Sequence, residues 1–155
     1  MSKSEFDCIG PGGLDTLLYD GPLLQVAITV PLALVRFLRE NGQPPFSSII
    51  GLGQIDTGAA VSAVDPSVFR ELEIPSVDRE MVQTAHGLSE LDRYNASVRF
   101  LQLEVEPMPL HDVLGGHVRR PSVLGPDIIM LIGRDLLRSL VFTYDGPNAR
   151  FTVAT

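Results

Sequence analysis

The residues of this chain best suited to chemistry are Asp56-Thr57-Gly58-Ala59, which follow directly on an apolar run ending at Ile55. A carboxylate at the end of a buried strand is held rigidly. A glycine two positions on lets backbone and reactant approach it, whereas a bulky side chain there would obstruct the way in. Such a placement holds the carboxylate at the floor of a groove. Asp-Thr/Ser-Gly alone is a weak signal, since a chain this long holds one by chance about one time in ten or twenty at average residue usage. Its place behind the strand is what singles it out. Asp15-Thr16-Leu17 has no glycine and no convincing strand before it.

The other reactive side chains fit plainer roles. His86, His111 and His117 are the only histidines. His111 and His117, with Asp112 nearby, have no helical i, i+4 register and read as loop residues on a solvated surface, so no metal site is expected. The single cysteine, Cys8, excludes an intrachain disulfide and a multi-cysteine zinc site. No Gly-x-Ser-x-Gly elbow is present, and Gly10-Pro11-Gly12-Gly13 has neither a preceding strand nor a following lysine in phosphate-loop spacing. Asp135 reads as a helix-start or structural acid. His86 fits a groove lining and an exposed turn equally well.

The elements that must position Asp56 are short strands. Leu23–Val30 reads as a strand, and Pro31 then suits a first helical turn, with Leu32, Val35 and Leu38 on one face and Asn41-Gly42 as a stop. Ser48–Ile55 is the strand feeding Asp56, and Ala60–Val64 is another. Asp65-Pro66 opens a helix over Ser67–Leu72, with Asp65 as N-cap. Met81–Thr84 and Tyr94–Phe100 read as hairpin arms around His86-Gly87, with strand continuing over Phe100–Val105. Pro107–Gly125 is Pro- and Gly-rich and carries no clear pattern. Ile128–Ile132 is apolar throughout, as in a strand buried on both faces. Asp135–Leu140 reads as a short helix, and Asp145-Gly146-Pro147-Asn148 as the turn of a last hairpin. Residues 1–21, with four glycines and a proline, read as an extension that needs something to dock on, leaving one domain over 22–155.

Composition agrees with a mostly β domain. Of 155 residues 45% are hydrophobic and 20% charged, with 14 Gly, 12 Pro and no Trp. That mix favours short strands and tight turns over a helical bundle and argues against disorder. A net charge of −7 disfavours nucleic acid and anionic membrane as partners. The N-terminus carries no apolar signal core, and Leu23–Val35 falls short of a membrane span, so a cytoplasmic protein is expected.

Asp56-Thr57-Gly58-Ala59, followed downstream by Leu131-Ile132-Gly133-Arg134-Asp135-Leu136-Leu137, resembles the two signatures of the retropepsin-like aspartic peptidases, the retroviral and bacterial single-domain relatives of pepsin. The order agrees as well: catalytic loop, helix-like segment, hairpin, then the second signature, over roughly residues 22–155. The resemblance implies a mainly β, closed retropepsin-like barrel with two or three short helices, half of a pepsin-like bilobed site. It implies an aspartic endopeptidase without cofactor, in which Asp56 is catalytic and Thr57, Gly58 and Ala59 support the loop. Ala85, His86 and Gly87 would sit in the hairpin that covers an extended peptide or protein substrate. Two carboxylates sharing a proton are needed and the chain supplies one such loop, so a homodimer would bring the second, with Thr57 donating a hydrogen bond across the pair. The rival reading is a catalytically weak module of the same fold that binds peptide or protein. The chain departs from the retroviral pattern in three places. Ala60 stands where an acid usually pairs with the arginine, so Arg134 needs a backbone carbonyl or another acid. The hairpin tip, Thr84-Ala85-His86-Gly87-Leu88, lacks a run of glycines. The helix-like stretch Pro31–Glu40 is an insertion.

Overall fold

A computed structural model describes residues 3–7 and 16–155; Cys8, Asp15 and the 10–13 glycine stretch lie outside the described residues. The strands are β1 (Lys3–Asp7), β2 (Leu23–Thr29), β3 (Ile49–Ile55), β4 (Ala63–Val64), β5 (Asp78–Thr84), β6 (Gly87–Phe100), β7 (Met108–Gly115), β8 (Ile128–Ile132), β9 (Val141–Asp145) and β10 (Arg150–Ala154). The helices are α1 (Leu32–Glu40), α2 (Pro66–Glu71) and α3 (Arg134–Leu137), and a single wide helical turn spans Thr16–Asp20. The fold is therefore mainly β with short helices.

β2, β3, β8, β4, β7 and β6 neighbour one another in that order, and pairing of β2 with β6 closes them into a barrel. β5 extends from β6 as the outer arm of a hairpin. Val26 and Ile28 of β2 and Val98 and Phe100 of β6 alternate into the interior, and share one buried cluster with Ile129, Met130 and Ile132 of β8, a strand buried on both faces, and with Phe69 of α2. Phe69 stacks on Tyr94 with ring centroids 3.9 Å apart. Gly53 of β3 is a glycine for lack of room, since a Cβ there would lie 2.8 Å from the Ile132 side chain. β1, β10 and β9 form a second sheet, with Lys3 opposite Ala154 and Asp7 opposite Arg150. Thr16, Leu17 and Asp20 are buried, and Asp20 accepts hydrogen bonds from Arg120 Nη1 at 2.9 Å and from the Val123 amide at 3.1 Å.

Asp65 caps α2 as expected, its carboxylate accepting from the Ser67 amide at 3.0 Å, with Pro66 next. Several boundaries differ from the sequence expectation; β5 begins at Asp78 rather than Met81 and β6 at Gly87 rather than Tyr94, because the two arms pair without a break from Asp78–Arg93 to Thr84–Gly87. Of the run Phe100–Val105 only Phe100 is strand: β6 ends there, and the Gln102 side chain accepts from the Gln25 amide at 2.8 Å, ending the ladder. The apolar residues Leu103 and Val105 pack against the rim of the core from a loop, which mimics strand alternation. The patternless 107–125 segment contains β7; its Pro109 sits opposite Ser97 of β6, away from the Ala63–Val64 end where β4 flanks the strand. β4 begins at Ala63 rather than Ala60, because Ala60 and Ser62 bond to Asp135 instead. α3 covers Arg134–Leu137, shorter and one residue earlier than Asp135–Leu140. No helix among the described residues is long and apolar enough to cross a membrane.

Candidate active site

β3 pairs with β8 right up to the loop, where the Asp56 amide donates to the Ile132 carbonyl at 2.9 Å. Asp56 then turns the chain. Its Oδ1 accepts from the Gly58 amide at 2.9 Å, and its carbonyl accepts from the Ala59 amide at 3.2 Å. A Cβ at Gly58 would lie 3.1 Å from that Oδ1, so glycine keeps the carboxylate uncrowded. Asp56 is half-buried and Thr57 and Gly58 are exposed. Oδ2 of Asp56 has no hydrogen-bond partner among the described residues. The arrangement presents one carboxylate oxygen outward on a backbone that strand pairing immobilises.

The second signature clasps this loop from behind. Arg134 Nη1 donates to the Thr57 carbonyl at 2.7 Å, so the arginine takes a backbone acceptor where Ala60 offers no carboxylate. The Arg134 amide donates to the Ala59 carbonyl at 2.9 Å and the Asp135 amide to the Ala60 carbonyl at 3.2 Å. Gly133 allows the crossing, because a Cβ there would meet the Val61 backbone at 2.8 Å. Asp135 accepts from the Ser62 amide at 3.0 Å, from Ser62 Oγ at 2.7 Å and from the Leu136 amide at 2.9 Å. It serves as a structural acid, as its sequence position implies. Ser62 itself was not legible as a site residue: it is fully buried and its hydroxyl accepts from the Gly133 amide at 2.9 Å. A serine just before a short strand carries no signal that its partners lie more than seventy residues away.

Ala85, His86 and Gly87 lie at the tip of the β5–β6 hairpin, with Ala85 and His86 exposed. Thr84 Oγ1 closes the tip, donating to the Gly87 carbonyl at 2.8 Å and accepting from the His86 amide at 3.2 Å. Gly87 has φ +106°, a conformation that side-chain-bearing residues rarely adopt. Among the described residues, no hydrogen bond or ion pair joins this tip to the Asp56 loop. His111 and His117 are exposed, and no group of three or more potential metal ligands occurs among the described residues.

No known family's sequence profile matches the chain, and no curated protein does. Among solved structures, the chain is similar to a retropepsin-like aspartic protease from Rickettsia conorii, with TM-score 0.49 and 17% identity over 98% of this chain and 91% of that one. It is also similar to EIAV protease complexed with the inhibitor HBY-793, with TM-score 0.40 and 15% identity over 76% of this chain and 86% of that one. The functional reading is carried by the geometry of the Asp56 loop and its Arg134 clasp, not by these likenesses.

Proposed function

We propose that this chain is an aspartic endopeptidase whose site is completed by the Asp56 loop of a second copy. The observation that carries the reading is the Asp56 carboxylate: fixed by the Gly58 amide through one oxygen and, among the described residues, unbonded at the other, on a loop held by β8 and Arg134. Peptide hydrolysis by paired carboxylates needs one to act as base and one as acid. Asp135 does not supply the second, since Ser62 and Leu136 occupy it. A symmetric partner does, and the Thr57 hydroxyl, which has no partner among the described residues, is free to bond across the two loops.

In this mechanism the basic carboxylate takes a proton from water as the water oxygen bonds to the scissile carbonyl carbon. The acidic one donates its proton to the carbonyl oxygen. Collapse of the resulting gem-diol breaks the C–N bond, and a carboxyl proton passes to the leaving nitrogen. The β5–β6 hairpin, with Ala85, His86 and Gly87 at its tip, covers an extended peptide lying over the loops.

The test compares wild type with Asp56→Asn on a diverse peptide library, with oligomeric state followed by sedimentation. The expected result is loss of cleavage by the variant with fold and assembly retained, because the change is nearly isosteric and removes only the titratable group. Cleavage by the variant at the wild-type rate overturns the assignment.

A further inference from the structure

A cavity of about 600 Å³ lies beneath α1, and no residue of the Asp56 loop lines it. Its volume falls in the range of pockets that take small ligands. The floor is the outer wall of the barrel, where Ala27 of β2 and Ser97 of β6 face away from the core that Val26, Ile28 and Val98 enter. Ala27 and Ser97 are nevertheless buried, at 3% and 0% exposure, so something roofs them. The roof is α1, which presents Leu32, Val35 and Leu38 along one face yet has no buried residue. A helix with an apolar stripe normally presses it onto its neighbour; this one stands off, and the gap is the cavity.

The lining is mainly apolar, but Arg39 and Arg99 are part of it and no acidic residue is. Neither arginine is in an ion pair with a described residue. In a chain of net charge −7 that is a local reversal of sign. We propose that the cavity binds a free aliphatic carboxylate, its hydrocarbon between α1 and the β2–β6 wall and its headgroup on Arg39 and Arg99. Guanidinium groups are the side chains best matched to a carboxylate, and an apolar cavity with two of them in its lining selects for an anion with a tail. The site is independent of Asp56, so it stands or falls apart from the peptidase reading.

The test is calorimetric titration of the full chain with dodecanoate below its micelle concentration, with dodecanol and dodecyltrimethylammonium as comparators. Saturable binding of one dodecanoate per chain is expected, with dodecanol about tenfold weaker and the cation weaker again. Arg39→Gln and Arg99→Gln should each weaken dodecanoate binding about tenfold, and Ala27→Leu should abolish it by filling the floor. Circular dichroism checks each fold, and the two arginine variants carry the test if Ala27→Leu does not fold. Failure of dodecanoate to bind overturns the proposal. So does equal binding of all three probes, or indifference to both arginine changes. Partition onto phosphatidylglycerol vesicles without saturable uptake of the free carboxylate overturns it in favour of a membrane surface.

Discussion

Ser62, behind the Asp56 loop, and Asp65, at the start of α2, show how much rests on single polar side chains. Ser62 Oγ joins the Gly133 amide to Asp135, so Ser62→Ala strands a buried donor and weakens the clasp behind the Asp56 loop. A loss of about 1–3 kcal/mol is expected in urea unfolding, with kcat falling more than KM rises if loop position is what the clasp secures. Asp65 is the anionic counterpart. Burial opposes its ionisation, but hydrogen bonds from the Ser67 hydroxyl and from the Arg119, Ser67 and Val118 amides outweigh that and hold its pKa below the ordinary carboxylate value. A depressed native pKa stabilises the fold fully above the unfolded pKa of about 3.9, and the gain is lost as pH falls through the lower native value. Asp65→Asn should therefore cost about 1–3 kcal/mol at pH 7, and the gap from wild type should narrow below about pH 4. Urea midpoints at pH 7 and pH 3 measure both; a gap that does not change with pH means the charge is not its source.

At the scale of elements, the β5–β6 hairpin differs from the barrel it grows from. β5 has no buried residue, and its cross-strand ion pairs, Arg79 with Asp92 and Arg93 with Glu80, lie where solvent screens them. Backbone amides over 78–93 should exchange hydrogen for deuterium faster than those of β2, β3 and β8, and slow when an extended peptide is bound. Full protection of the free hairpin would remove it as a substrate cover. This hairpin, the strand into Asp56 and the Asp65-Pro66 cap were legible in the sequence because each is specified within a few residues by alternation, a turn or a cap. β7 was not, because Pro109 and Gly115 read as loop while its strand character comes from pairing with β6. The misreading of 101–105 has the converse cause: apolar spacing there serves rim packing without a ladder. Within the site, Asp56 and Arg134 announced themselves by type and order. What Arg134 grips, a carbonyl, is visible only once the chain has folded.

For the whole molecule, closure of the barrel makes one core answer for stability. Phe69→Ala removes a fully buried ring stacked on Tyr94 and should cost about 3–5 kcal/mol in a single cooperative transition. If the peptidase site spans two copies, specific activity should fall on dilution while the fold persists, whereas constant turnover by a proven monomer would place the second acid on the same chain. The β1–β10 pairing has a mechanical consequence. Lys3 faces Ala154 and Asp7 faces Arg150, so both ends of the described chain leave from the same end of one ladder. A force drawing those ends apart loads that ladder one rung at a time and peels it open, whereas strands pulled lengthwise past each other resist with all their rungs together. In single-molecule extension β1 should detach first and at low force, leaving the barrel around Asp56 to yield in a separate, stronger event.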